Sequence, residues 1–253
     1  SKKAHMKFLK NVLWFFWKLW FYILVLAVIL VLSPLLVLSL ASDKLYRFFF
    51  MLARIWAYIV FYGTGFSKKI ITKQKFDRSK SYMITANHSS MMDIMLMLIL
   101  IKNPFVFVGK KELAKMPVFC YFYKRACILV DRSSAASRQQ TMIMAAQKLG
   151  NGLSVCIFPE GGVSDDESLV LDEFKDGAFR LAIDFEIPVV PLTFVGLKKM
   201  FPFRFFAGCP GVVKVYQHPF IETNGLTQVN KPDLKQETRH LIIQPLLHHE
   251  KNT

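Results

Sequence analysis

The stretch Asn87-His88-Ser89-Ser90-Met91-Met92-Asp93 is the part of this 253-residue sequence best equipped for chemistry. An imidazole can take and return a proton near neutral pH. A carboxylate one turn into a following helix can reach back to fix its tautomer and support the protonated ring. The other ring nitrogen is then available to a hydroxyl. The same residues also fit a capping histidine beside a solvated aspartate. Ser89 and Ser90 are open in the same way, between helix N-caps and nucleophiles.

Further chemistry is spaced along the chain. Val155-Cys156-Ile157-Phe158 runs into Pro159-Glu160-Gly161-Gly162-Val163-Ser164, a turn that can offer backbone N–H groups to an anion. Gly109-Lys110-Lys111-Glu112-Leu113, Pro117 and the run Ile128 to Arg132 put cations near strand ends, where a phosphate can bind or where the charges are merely solvated. Ile187-Pro188-Val189-Val190-Pro191-Leu192 brackets a strand start with two prolines, the pattern of an edge or bent strand.

These groups need elements to position them. Short β-rich runs predict strands over Ser81 to Ala86, Phe105 to Val108, Ile128 to Val130, Ser154 to Phe158, Val189 to Val195 and Val212 to Tyr216. Helical patterns fill the intervals: Met91 to Ile101, Leu113 to Lys124, Ala135 to Leu149, Lys175 to Phe185 and Leu234 to Leu241, the last ending by Pro245. This alternation predicts an α/β fold, and His88 then sits on a strand-to-helix loop, where such folds expose reactive side chains.

The N-terminal third is different. Leu19 to Ala41 is uncharged throughout and is preceded by Lys2, Lys3, Lys7, Lys10 and Lys18, a length sufficient to cross a bilayer and longer than a signal-peptide core. Ser33-Pro34 is expected to kink or end that helix. After a turn at Ala41 to Asp43, the stretch Lys44 to Tyr62 mixes Arg47 and Arg54 with aromatics, as in helices lying at the headgroup boundary. Charge follows the same division: residues 1 to 75 hold twelve Lys and Arg against the single acid Asp43, and the remainder holds twenty-one against seventeen. A basic excess concentrated where the apolar residues are points to anionic lipid and away from nucleic acid. Hydrophobic residues at 53% exclude a disordered chain. Four cysteines without C-x-x-C spacing argue against a disulfide scaffold or a zinc site.

Taken in order, four blocks between residues 82 and 196 resemble the 1-acyl-sn-glycerol-3-phosphate acyltransferase family. The first, N-H-x-x-x-x-D, matches at Asn87, His88 and Asp93; the second matches at Gly109, Lys110, Glu112, Leu113, Pro117, Asp131 and Arg132. The third, F-P-E-G-T-R-S, matches at Phe158, Pro159, Glu160, Gly161 and Ser164, with Gly162 and Val163 in place of Thr and Arg. The fourth matches at Pro188, Val189, Val190 and Pro191. Cys120 stands where the family often has Gly.

The resemblance implies a mixed, largely parallel sheet flanked by helices, preceded by a membrane-associated two-helix hairpin. It further implies transfer of a fatty acyl group from acyl-ACP or acyl-CoA to a lysophospholipid hydroxyl, with no metal or bound cofactor. The expected division is a hairpin over residues 1–66 and a catalytic domain over 67–253. The implied catalytic pair is His88 and Asp93, with substrate contacts at Lys110, Arg132, Glu160, Gly161 and Gly162. Lys175 or Arg180 could supplement them, because Val163 cannot act as the family's phosphate-binding Arg. An N-acyl amino-acid lipid, with a carboxylate headgroup, is the alternative acceptor; a catalytically silent lipid-binding protein is the alternative role. A basic cytoplasmic face would attract an acidic acyl carrier protein and coenzyme A phosphates alike. A single span would carry the catalytic residues away from a cytoplasmic thioester, so a hairpin dipping into one leaflet is expected, with the rest of the chain on the cytoplasmic face.

Overall fold

The computed structural model describes residues 2–251 apart from 73, 116–118, 132, 164, 165 and 167. Pro117, Arg132 and Ser164, singled out above, lie outside the described residues. In chain order the elements are α1 (Lys2–Ser39), α2 (Tyr46–Gly63), β1 (Ser67–Thr72), β2 (Met83–Ala86), α3 (Met92–Leu100), β3 (Phe105–Lys110), α4 (Phe119–Ala126), β4 (Cys127–Val130), α5 (Ala135–Gly150), β5 (Ser154–Ile157), α6 (Gly177–Asp184), β6 (Val189–Val195), α7 (Leu197–Met200), β7 (Val212–Gln217) and α8 (Lys231–Lys251). The chain forms two compact units, one of Ser1–Lys69, Ser89–Lys102 and Phe194–Lys214, the other of Ile70–His88, Asn103–Thr193 and Val215–Thr253.

In the first unit α1 and α2 form an antiparallel hairpin. The last carbonyls of any helix lack intrahelical donors. Here the indoles of Trp17 and Trp20 supply them, donating to Thr64 O at 3.0 Å and Gly63 O at 2.8 Å. Trp56 of α2 donates in turn to Val25 O at 3.2 Å. Gly63 permits the close approach, since a Cβ there would lie 2.9 Å from Leu24 Cδ1. One face of α2 is buried through Phe49, Phe50, Leu52, Ala57, Val60 and Phe61, while Met51, Ile55, Tyr58, Ile59 and Tyr62 form an exposed apolar stripe. Arg54 is turned inward to the carboxyl end of α3, its Nε donating to Leu98 O at 2.9 Å, where a cation also complements the helix dipole.

Two prolines depart from expectation. α1 continues through Pro34 to Ser39, because the carbonyl that loses its N–H donor, that of Leu30, accepts instead from the Ser33 hydroxyl at 2.7 Å. α8 likewise continues through Pro245 to Lys251. A proline removes one hydrogen bond and crowds one carbonyl, and the burial of Leu234, Thr238 and Ile242 holds the rest of the helix in place.

The strands lie in the order β1-β7-β6-β2-β5-β3-β4. The β2 strand pairs in parallel with β5 and β6, and β3 pairs in parallel with β5 and β4, so the sheet is mixed and mostly parallel as the resemblance implies. Continuous burial along β2 and β6 is the pattern of strands covered on both faces. β6 is interior and not at an edge. Its Pro191 carbonyl accepts from His218 just beyond the end of β7, so the absent N–H falls where the ladder is already ending. The β1 strand carries no pattern along the chain that announces it: Ser67–Thr72 is lysine-bearing and exposed at the sheet's edge, a composition that protects edges and erases the apolar signal. The helix expected over Leu113 to Lys124 is instead a short 3-10 turn over Lys111–Lys115 followed by α4.

Candidate active site

Parallel pairing sends the carboxyl ends of β2, β5, β3 and β4 to one edge of the sheet, where open α/β folds place their ligands. Register makes this concrete: Thr85 lies beside Ile157, Phe107 beside Cys156, and Lys110 beside Val130. His88 follows β2, the Phe158 to Gly162 turn follows β5, and Lys110 ends β3. Asp131 follows β4, its carboxyl held below the usual carboxylate range by hydrogen bonds from the Ser133 hydroxyl and N–H.

Contacts within the second unit hold His88. Its backbone N–H donates to Glu160 Oε1 at 2.7 Å. Its ring lies nearly parallel to that of Phe158, with centroids 4.2 Å apart and 17° between planes. Phe158 in turn stacks on Phe107 at 6.3 Å. The second oxygen of Glu160 accepts from Asp172 N–H at 3.0 Å, so this carboxylate ties the His88 loop to a segment more than eighty residues later. Glu160, for which the resemblance implies a substrate contact, accepts from main-chain N–H groups with both its oxygens.

The turn itself is tightly bound. Gly161 N–H donates to Phe158 O at 3.0 Å, and Lys175 N–H donates to Pro159 O at 2.7 Å. Gly161 has φ +82°, which disfavours any side chain. The Lys175 stem passes close by: a Cβ on Gly161 would lie 3.5 Å from Lys175 Cγ. Lys175 is exposed, whereas Arg180 forms an ion pair with Asp184 at 3.7 Å along α6. Lys110 is exposed at the end of β3, and Gly162 and Val163 are half-buried.

The chain passes from the second unit to the first at the His88–Ser89 peptide. Asp93 is completely buried in the first turn of α3. Its Oδ2 accepts from the N–H groups of Ser89 at 2.6 Å and Ser90 at 2.8 Å, which fixes the loop that leaves His88. The Ser90 hydroxyl accepts from Met92 N–H at 3.2 Å and donates to Phe201 O at 2.8 Å. These bonds hold the loop that enters α3, and they give the nucleophile reading of Ser90 no support. Burial pushes the thiols of Cys127 and Cys156 well up, so neither supplies a thiolate at neutral pH. Pro188 to Pro191, the fourth block, lies at the start of β6 with Val189 beside Met83. It builds the strand.

A histidine at the carboxyl edge of a helix-flanked, mostly parallel sheet, in a chain that opens with two long apolar helices, defines an α/β protein with a membrane-type helical pair. The acyltransferase family model matches residues 59–195, and the chain belongs to that family, alongside the 1-acyl-sn-glycerol-3-phosphate acyltransferases. It is similar to the human 1-acyl-sn-glycerol-3-phosphate acyltransferase beta, with 26% identity over 190 residues, 74% of this chain and 67% of that protein. A probable 1-acyl-sn-glycerol-3-phosphate acyltransferase of Mycoplasma pneumoniae is 31% identical over 137 residues, 51% of this chain and 50% of that one. The chain thus spans half to two thirds of the length of these relatives. The crystal structure of the 1-acyl-sn-glycerophosphate (LPA) acyltransferase PlsC from Thermotoga maritima shares the fold, with a TM-score of 0.77 at 19% identity over 96% of this chain and 98% of that one.

Proposed function

We propose that this protein is a membrane-associated O-acyltransferase that moves a fatty acyl group from a thioester to the sn-2 hydroxyl of lysophosphatidic acid, giving phosphatidic acid. The observation that carries the reading is His88, held at the carboxyl edge of the sheet through its N–H and its ring in a chain of this family.

In this reading His88 removes the proton of the acceptor hydroxyl as that oxygen attacks the thioester carbonyl. A carbon–oxygen bond forms and the carbonyl oxygen takes the negative charge. Collapse of the tetrahedral intermediate breaks the carbon–sulfur bond, and the imidazolium returns its proton to the departing thiolate. Asp93 supports the transient imidazolium. No acyl-enzyme is required. Lys110, Gly161, Gly162 and Lys175 are the proposed partners of the acceptor phosphate, with Arg132 assigned from the sequence alone.

The two N-terminal helices are long and apolar enough to cross a membrane. Their antiparallel pairing returns the chain after Gly63 to the side from which α1 enters, and in this reading the hairpin dips into one leaflet with the rest of the chain on the cytoplasmic face. Such an arrangement meets the acceptor where it resides, since lifting an acyl chain into water costs about 0.8 kcal/mol per CH₂. Acyl-ACP and acyl-CoA are both candidate donors.

Val163 favours one second reading, an N-acyl amino-acid lipid as acceptor. Purified protein offered lysophosphatidic acid or an N-acyl amino-acid lipid, each with acyl-CoA and with acyl-ACP, separates the two. The leading reading expects phosphatidic acid, and its loss by at least a hundredfold in His88→Ala with the circular dichroism spectrum unchanged. Product from the amino-acid lipid alone would overturn the phosphate acceptor, and undiminished turnover in His88→Ala would overturn the assigned base.

A further inference from the structure

The segment Phe201-Pro202-Phe203-Arg204-Phe205-Phe206, directly after α7, belongs to none of the four blocks. Four phenylalanines in six residues of a loop call for a physical reason. The loop is closed at its base, where Cys209 N–H donates to Met200 O at 2.9 Å. Gly208, at φ +120°, makes this closure possible, because a Cβ there would lie 2.5 Å from Met200 O and 3.1 Å from Trp17 Cζ3.

Half of the loop faces inward onto α1. The Phe201 ring is buried against Phe21 at 4.8 Å and Trp17 at 5.4 Å. Phe205 packs on Phe15 at 5.6 Å and lies parallel to Tyr22 at 6.5 Å. Lys18, only 3% exposed, holds the centre: its Nζ donates to Pro202 O at 2.7 Å and sits 3.5 Å from the Phe201 ring centroid. The loop is therefore fixed to the segment Phe15 to Tyr22 of α1, the aromatic-rich part that joins the lysine-bearing start of the helix to its uncharged stretch.

The other half faces out. Phe203 is 58% exposed and Phe206 is 55% exposed, with the exposed Arg204 between them and Lys198 and Lys199 a few residues before. Exposed aromatics interleaved with cations are the composition of the lipid–water boundary, where rings enter the acyl region and cations meet phosphates. The adjoining α1 surface, with Phe16, Trp20 and Ile23 exposed, continues the same character.

We propose that Phe203 and Phe206 form a third membrane-contact element that enters the headgroup boundary of an anionic bilayer together with α1. The inference rests on the membrane association proposed above and extends it to a loop about 140 residues after the end of the hairpin in sequence. Being pinned to α1, the loop sets how far that helix can descend and holds it at one depth and rotation on the bilayer.

The test uses the full chain in a Cys209→Ser background. Phe203→Cys, Phe206→Cys and, on α1, Leu26→Cys are each labelled with bimane, with the label on the parent chain subtracted. Each is mixed with vesicles of phosphatidylcholine and phosphatidylglycerol carrying a doxyl quencher at acyl carbon 5 or 12. All three sites face outward, so folding is not at issue. The expected result is at least twofold quenching of both loop sites, stronger from carbon 5 than from carbon 12. Quenching at Leu26 with none at Phe203 or Phe206 would overturn the loop's role while leaving the hairpin's intact. Absence of quenching at all three would overturn the membrane association and this inference with it. A bimane spectrum at the loop sites already shielded without vesicles, in a particle of twice the mass, would assign the surface to a second copy of the chain and overturn the bilayer as its occupant.

Discussion

The imidazole of His88 lies flat on the phenyl ring of Phe158, with centroids 4.2 Å apart and planes 17° from parallel. The two residues follow neighbouring parallel strands, β2 and β5, so sheet register delivers the ring to its support. Phe158 is itself buried and backed by Phe107, which leaves the imidazole one well-defined plane in which to meet a hydroxyl.

Removing that support should cost rate more than binding. Aromatic pairs contribute about 0.5–1.5 kcal/mol beyond their buried area. Phe158→Leu is therefore expected to lower kcat by up to about tenfold, with the acceptor KM within twofold of the parent. Steady-state kinetics on vesicle-borne acceptor check this, and an unchanged kcat would assign Phe158 to packing alone.

Glu160 predicts a stability effect. Its two oxygens accept from the N–H groups of His88 and Asp172, and glutamine can offer an acceptor to only one of them. An unsatisfied donor costs about 1–3 kcal/mol. Glu160→Gln should lower the urea midpoint accordingly, and turnover should fall with it because the loop carrying His88 is no longer tied down. Loss of acceptor affinity without any stability change would instead support a direct role in substrate binding.

Lys175 predicts a charge effect. Its stem crosses the Gly161 turn, near the place where Val163 has replaced the family's arginine. Lys175→Met should raise the KM for lysophosphatidic acid by about tenfold, as for the loss of one charge-assisted contact, and leave an uncharged monoacylglycerol acceptor unaffected. Lys175→Arg should restore most of the affinity.

The pH dependence of stability has a local source in Asp176. Hydrogen bonds from Lys235 and then Lys231 hold its carboxyl below the usual range, joining the start of α6 to α8 with Nζ–carboxylate distances of 2.6 and 3.0 Å. A depressed folded-state pKa stabilises above the unfolded value, near 4, and that contribution is lost as pH falls through the folded value. Asp176 is half exposed, which limits the gain to under about 1 kcal/mol. Asp176→Asn should therefore be less stable than the parent at pH 7 in low salt, with the gap closing towards pH 3 when urea denaturation is followed at both.

Much of this protein could be read along the chain. The strand-to-helix passage around His88, the turn after Phe158 and the apolar hairpin are local features, set by short-range sterics and by hydrophobic patterns that repeat within a few residues. Even the helix through Pro34 carried a local sign, since the adjacent Ser33 supplies the missing donor to Leu30. The β1 strand left no such trace, because an exposed, lysine-bearing edge strand has no apolar alternation to detect. The tertiary structure decided the rest. Glu160 and the His88 N–H it binds are 72 residues apart, and Lys18 and the Pro202 carbonyl are 184 apart. No periodicity links such pairs. Which donor meets a given oxygen depends on what the sheet register and the folded loops bring within about 3 Å, and that is settled only when the whole chain has packed.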